Sequence, residues 1–376
     1  MSDTATRLRR ELAEKIGSAG WRKALDLVPR ERFLGDAVYQ RDKTRGDLWV
    51  PLRRANMPED KWLALAYADE TWVTQVAGIM AEGATGTVTG QPGSSSTLPS
   101  LVIRMLEAAE IEEGDKVLEI GTGTGYSTSL MCQRLGNDAV TSIEYDPAIA
   151  ARARDAIIGA GYAPTLAVGD GLYGCEENAP YDRLIATCSV RTIPQAWMQQ
   201  VRAGGTITVP MWGWMGGVAF AHLSMAGDGT ATGPFLEDSL YFMTARSHLP
   251  PPRPPLVRGI GGTRKTRIDP SILQGGAGRW VAQLAVPQAQ VSWGADATFL
   301  VDVGTGSRAE AQADPAGGWR VLQHGRISLW DAVEEAIETW QEAGQPHQSG
   351  FGLTVTPEGQ WVWLGTPDGP TWELPA

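Results

Sequence analysis

Between Leu101 and Trp212 the chain alternates apolar runs suited to strands with helically patterned segments, and a glycine-rich loop stands at the first strand-to-helix junction. LVIRMLEAAEI reads as a helix and GDKVLEIGTGTGY as a strand entering that loop. TSLMCQRLG then gives a helix, AVTSIEYD a strand, Pro147 to about Ile158 a helix, and TLAVGDG a third strand. YDRLIATCSV, IPQAWMQQV and GGTITVPMW continue as strand, helix and strand. This alternation demands right-handed crossovers and a parallel sheet covered on both faces, an α/β fold. Two more apolar runs, GVAFAHLSM and LEDSLYFM, are expected to complete the sheet as a hairpin.

The remaining sequence flanks that core. Leu8, Leu12 and Ile16 stripe an N-terminal helix, and Pro29 interrupts the mixed segment after it. Residues 41–60 are polar, residues 61–81 read as irregular structure with short strands, and residues 82–100 have a loop composition. HLPPPRPPLVRG (residues 248–259) is the composition of a stiff spacer, and GGTRKTR after it is a dense basic cluster. In the final segment, SLWDAVEEAIETWQEAG reads as a helix with Ser328 and Asp331 placed as a capping box and Gly344 as its stop. FGLTVTPEGQWVWLG reads as two strands about a Pro-Glu-Gly turn. The expected division is an N-terminal addition with a substrate loop (1–100), the α/β core (101–247), a linker (248–267) and a smaller α+β module for substrate or partner (268–376). At about 150 residues per domain, a length of 376 accommodates this.

Composition removes several function classes. A formal charge of −11 opposes broad binding to nucleic acid or to an anionic membrane, both of which need clustered Lys and Arg. No apolar stretch approaches the roughly 18–20 residues of a membrane helix, and the N-terminus lacks the apolar centre of a signal peptide. Cys132, Cys175 and Cys188 are widely spaced and have no neighbouring His, which argues against a disulfide framework and against a metal site. The expectation is a cytoplasmic protein.

The glycine loop narrows the ligand. Gly121, Gly123 and Gly125 permit a tight turn and close approach of a ligand to backbone, ahead of a helix N-terminus with free N–H groups. The dinucleotide fingerprint G-x-G-x-x-G is not met, because Tyr126 stands where its last glycine belongs, and no Lys-Ser/Thr follows as in a phosphate loop. Glu119 just before the loop would repel a pyrophosphate and suits an ammonium group, which favours S-adenosylmethionine over NAD. Glu144 ends the second strand, where a carboxylate can accept both hydroxyls of a ribose, and Asp170 ends the third, where an adenine amino group can donate to it. Three carboxylates at successive strand ends describe one nucleoside site.

The set VPRERFL (28–34), VLEIGTGTGY (117–126), SIEYD (142–146), GDG (169–171), APYDRLIAT (179–187) and IPQAWMQQVRAGGTITVP (193–210) closely resembles the protein-L-isoaspartate O-methyltransferase family over roughly residues 1–245. The resemblance implies a Rossmann-like methyltransferase fold, S-adenosylmethionine as cofactor, and methylation of a free aspartyl or isoaspartyl carboxylate. It implies that Gly121, Gly123 and Gly125 line the methionine part, Glu144 the ribose and Asp170 the adenine, with Thr122, Tyr145 and Gly171 in the same motifs.

Where the repair enzymes carry a Ser-Gln-Pro-Tyr-like element, this chain has Thr97-Leu98-Pro99-Ser100 after Ser94, Ser95 and Ser96. Thr97 keeps the hydroxyl that orients the acceptor carboxylate, with Ser96 and Ser95 as the other candidates and Ser94 and Pro99 as substrate contacts. That departure, and a C-terminal module expected to lack a counterpart in repair enzymes, resemble a branch that tailors ribosomally made peptides of the graspetide or lanthipeptide kind. There an aspartate of an acidic, already cyclised precursor peptide is methylated and the ester collapses to aspartimide or isoaspartate. The cyclising enzyme would be a functional partner. General isoaspartate repair and a non-catalytic S-adenosylmethionine-binding scaffold are the alternatives. Trp212 and Trp214 follow the fifth strand, where a substrate peptide or ordinary packing would use them. Arg264, Lys265 and Arg267 read as a solvated run or as a contact for an acidic peptide.

Overall fold

A computed structural model describes residues 3–238, 240–255 and 258–375, in two units: Met1–Thr187 with Gln199–Thr208, and Cys188–Met198 with Val209–Ala376. The division departs from the expected one. The first hundred residues belong with the glycine-loop strands, and residues 209–247 belong with the C-terminal part.

The first unit opens with α1 (Asp3–Ile16), α2 (Arg22–Leu27), α3 (Glu31–Leu34), β1 (Ala37–Arg41), β2 (Leu48–Arg53), α4 (Glu59–Ala66), β3 (Trp72–Val76), β4 (Ile79–Met80), β5 (Val88–Thr89) and β6 (Pro92–Ser96). The apolar stripe of α1 sets Leu12 into a core with Leu34, Val38, Trp62 and Trp72. Trp62, Leu63 and Ala66 lie on the buried face of α4, so part of the segment expected to be irregular is helical. The strands form an antiparallel sheet in the order β4-β3-β1-β2-β5, with β6 also paired to β3. A Ser-rich stretch with loop composition is thus a strand, because partners on β3 satisfy its backbone.

Next come α5 (Pro99–Ala108), β7 (Val117–Ile120), α6 (Tyr126–Leu135), β8 (Val140–Glu144), α7 (Pro147–Gly159), β9 (Thr165–Val168), β10 (Tyr181–Ala186), α8 (Gln195–Gln200) and β11 (Val201–Trp212). The parallel strands stand in the order β11-β10-β7-β8-β9, and the first unit holds β11 through Thr208. The chain runs outward from β7 through β8 to β9, then returns to β10 on the other side. β7 and β10 therefore flank a topological switch point, where open α/β sheets bind ligands beyond the strand ends.

In the second unit β12 (Val218–Met225) pairs with β13 (Ala231–Pro234). The expected partner, 236–243, is not a strand in its described residues, and residue 239 lies outside them. Then follow β14 (Gly262–Thr266), α9 (Gly276–Ala285), β15 (Ala289–Trp293), β16 (Ala297–Asp302), β17 (Arg308–Ala313), β18 (Trp319–His324), α10 (Leu329–Glu342), β19 (Phe351–Val355), β20 (Gln360–Leu364) and β21 (Thr371–Glu373). One run of antiparallel strands is β12-β13-β19-β20-β21, and a five-stranded sheet is β14-β18-β17-β16-β15. β19 and β20 are the expected hairpin, closed by Thr356 N–H donating to the Gly359 carbonyl at 2.8 Å.

Two expectations for this unit are corrected. The basic cluster is not linker: Gly262–Thr266 is a strand, and residues 256–257 of the expected linker lie outside the described residues. Nor does the capping box form at Ser328, which makes no side-chain cap, because the Asp331 carboxylate accepts from Arg264 Nε at 2.9 Å and Gln323 Nε2 at 2.7 Å. Arg264 also pairs with Glu334 and Arg267 with Glu338, each at 2.6 Å. The acidic face of α10 occupies these two cations. Trp330, Val333, Ile337 and Trp340 on its other face are core.

Candidate active site

The glycine loop leaves β7 and turns into α6. Gly121, Gly123 and Gly125 all have left-handed backbone, with φ of +98°, +54° and +86°. At Gly125 a Cβ would also fall 2.7 Å from Ile157 of α7, so both conformation and space demand glycine. Gly121 N–H donates to the Ile143 carbonyl at 2.8 Å, and the Gly121 carbonyl accepts from Thr187 Oγ1 at 2.5 Å. The ends of β7, β8 and β10 are thereby joined around the turn.

Glu119 takes a different place from the one its sequence position suggests. It has no exposed surface, and its carboxylate accepts from Ser127, from Thr128 at 2.5 Å and from Ser142 at 2.7 Å. Thr122, also buried, shares a 2.7 Å hydrogen bond with Ser142. Burial pushes the Glu119 carboxyl up to about 7, against the pull of the three hydroxyls. Glu119 thus fastens the start of α6 to β7 and β8 beneath the loop, its carboxylate buried against three hydroxyls rather than open to an ammonium group.

Glu144, at the end of β8, turns toward the loop. Oε2 accepts from Gly123 N–H at 2.9 Å and Oε1 from Asp146 N–H at 3.1 Å. The Tyr145 backbone N–H also stabilises its charge, and of the roughly four lone-pair sites of an ionised carboxylate some acceptor capacity remains for a hydroxyl. Burial raises its pKa, opposed by those backbone N–H groups. Asp170 Oδ1 accepts from Leu172 N–H at 3.0 Å, capping a short turn. A Cβ on Gly171 would lie 2.5 Å from Ile120, so the third strand end closes onto the first. Tyr145 is 52 % exposed, an aromatic face at the same edge. Among the described residues no group of His, Cys, Asp and Glu could hold a metal.

β6 reaches this cradle, since a Cβ on Gly123 would lie 3.8 Å from the Ser95 carbonyl oxygen. Side chains alternate along a strand. Ser94 and Ser96 are buried and their hydroxyls lack a hydrogen-bond partner, whereas Ser95 and Thr97 are half-buried. Pro99 is buried at the first turn of α5. Trp212 and Trp214 belong to the second unit.

Sequence reasoning missed the residue that holds Thr97. Arg30, within VPRERFL, is wholly buried. Its Nη1 donates to the carbonyls of Ala66 (2.8 Å) and Ala68 (2.7 Å), and Nη2 to those of Glu70 (2.7 Å), Ser96 (3.4 Å) and Thr97 (3.2 Å). Burial lowers its pKa to about 10, leaving it a cation at neutral pH. Gln75 was missed as well; from β3 its Nε2 donates to Asp146 at 2.9 Å, the residue that caps α7.

The fold is the Rossmann-like fold of S-adenosylmethionine-dependent methyltransferases, with a glycine turn and acidic strand ends at its switch point. The described family protein-L-isoaspartate (D-aspartate) O-methyltransferase matches residues 57–232. A protein-L-isoaspartate O-methyltransferase of Anaeromyxobacter dehalogenans is 32 % identical over 206 residues, which is 54 % of this chain and 81 % of the relative. One of Ignicoccus hospitalis is 40 % identical over 121 residues, 32 % of this chain. The chain spans only 57 % of the length of that relative and 55 % of a similar one from Archaeoglobus fulgidus. This chain belongs to the protein-L-isoaspartate O-methyltransferase family. A solved structure of a protein-L-isoaspartate O-methyltransferase matches with a TM-score of 0.55 at 20 % identity, covering 96 % of this chain and 99 % of its own. That breadth corrects the expectation that the C-terminal module lacks a counterpart in such proteins.

Proposed function

We propose that this chain is an S-adenosylmethionine-dependent O-methyltransferase acting on an aspartyl or isoaspartyl side-chain carboxylate in a peptide. What carries the reading is the convergence of the left-handed glycine turn, Glu144 with acceptor capacity remaining, and Asp170 at a single switch point. When bound, the cofactor supplies a sulfonium methyl that passes to a carboxylate oxygen and leaves a neutral thioether. Glu144 would accept from the ribose, Asp170 would face the adenine edge, and the backbone of Gly121 to Gly125 would make room for the methionine part. The acceptor is ionised at neutral pH, so no general base is needed. The remaining work is alignment and exclusion of water. Thr97, with its carbonyl gripped by Arg30, would donate its hydroxyl to the acceptor carboxylate.

The narrower reading is a dedicated, cyclised acidic ribosomal peptide whose aspartyl ester is attacked by the following backbone nitrogen, expelling methanol and closing an imide. The Thr97–Ser100 departure supports it; the C-terminal module no longer does. A generic isoaspartyl hexapeptide and a cyclised aspartyl precursor, each assayed for methyl incorporation, separate the readings. Methylation of the precursor followed by a species one water lighter supports the dedicated reading, and rapid methylation of the hexapeptide alone replaces it with general repair. Cofactor binding without methylation of either peptide would leave a scaffold.

A further inference from the structure

An acidic chain that takes acidic peptides needs a cation to receive them. Arg264 and Arg267 are already paired with α10. Arg191, in the second unit, is not. Its guanidinium lies over the Trp214 ring with 3.5 Å from Cζ to the ring centroid, and Nη2 donates to the Pro287 carbonyl at 2.9 Å. Among the described residues it has no carboxylate partner, and burial alone lowers its pKa, to about 10. Trp214 is itself held, its Nε1 donating to the His248 carbonyl at 3.0 Å. Gln283 clamps the same turn through Gly217, accepting from its N–H at 3.0 Å and donating to its carbonyl at 3.2 Å.

Arg191, Trp212, Trp280, Gln283, Pro287 and Leu374 line a recess of about 310 Å³, part of it open to solvent. Trp280 packs into this lining through its ring, and its indole N–H is itself closed off from solvent. The recess thus sets a half-buried cation with donors to spare in walls otherwise largely apolar. Leaving such donors without a charged partner is costly, and a carboxylate matches the planar fork of Arg.

We propose that this recess receives a side-chain carboxylate of an acidic peptide. The proposal rests on the methyl-transfer reading and deepens it by naming a second grip on its substrate. Its test needs no turnover. The probe is an N-acetylated, C-amidated hexapeptide with three aspartates, titrated calorimetrically into the full chain at low salt without cofactor. Its asparagine counterpart and acetate serve as controls. The expected result is binding at least tenfold tighter for the aspartyl peptide than for the asparaginyl one, and at least tenfold weaker binding of the aspartyl peptide to Arg191→Gln. S-adenosylmethionine binding should be unchanged in that variant. Equal affinity of the two peptides, equal binding by Arg191→Gln, or a peptide bound no more tightly than acetate would overturn the proposal. If Arg191→Gln does not fold, Arg191→Lys decides, because it keeps the charge and loses the fork: several-fold weaker binding supports the site and unchanged binding refutes it. Loss of methyl transfer with intact peptide binding would instead count against the functional reading.

Discussion

Burying Glu119 makes stability depend on pH in a calculable way. Its carboxyl is raised from the ordinary 4.5 to about 7, with burial as the main cause. A folded-state pKa above the unfolded one means that the native state prefers the protonated form. The group's contribution is therefore fully present below about pH 4.5 and is lost as pH rises through 7. At about 1.4 kcal/mol per tenfold change in proton affinity, the loss totals about 3 kcal/mol, of which about 2–3 falls between pH 5 and pH 8. Glu119→Gln keeps the shape and an acceptor for the surrounding hydroxyls but cannot ionise. Its stability relative to the parent chain should climb by about 2–3 kcal/mol from pH 5 to pH 8, whatever the offset at pH 5. Urea unfolding of both proteins at pH 5, 6, 7 and 8 measures this, and taking the difference cancels every other titrating group. Parallel stability curves would refute a protonated Glu119 and the role of desolvation in keeping it so.

Other variants probe the rest of the cradle. Glu144→Gln removes the charged acceptor and should weaken S-adenosylmethionine binding about tenfold or more by calorimetry, as expected for hydrogen bonds to a charged group at about 1.5–3 kcal/mol. Thr97→Val should lower kcat about tenfold or more, worth about 1.4 kcal/mol of barrier, while cofactor affinity holds; unchanged kcat would remove Thr97 from the acceptor site. Gly125→Ala combines a left-handed residue with a clash against Ile157, and should cost about 2–4 kcal/mol in chemical denaturation.

The glycine turn and the acids at the next two strand ends were legible because their signals are local and ordered. A glycine turn after an apolar strand, and acids at the next two strand ends, reduce a chain to few geometries. Glu119 shows the limit of such reading. Spacing locates a carboxylate at a strand end but does not say which way it turns, and Ser127, Thr128 and Ser142 sit on other elements. β6 was hidden because serine and glycine describe loops in isolation, and only pairing with β3 makes a strand of them. The basic run at 264–267 read as linker because its partners, Asp331, Glu334 and Glu338, lie more than sixty residues later. Their spacing of three and four along one helix was a readable acidic stripe, but nothing local tied it to that run.

Arg30 carries a consequence for how the site comes into being. Its guanidinium joins carbonyls 36 to 67 residues downstream, from Ala66 to Thr97, and each of those contacts closes a long loop of chain. Loops of that length must pay their closure entropy before any contact rewards them, so contacts of this kind form late. Helices such as α5 and α6 can appear early from neighbouring residues. The segment bearing Thr97 has to wait for a side chain that precedes it by five intervening strands and two helices. Catalytic competence should therefore return more slowly than helical content during refolding, with the lag set by a single arginine.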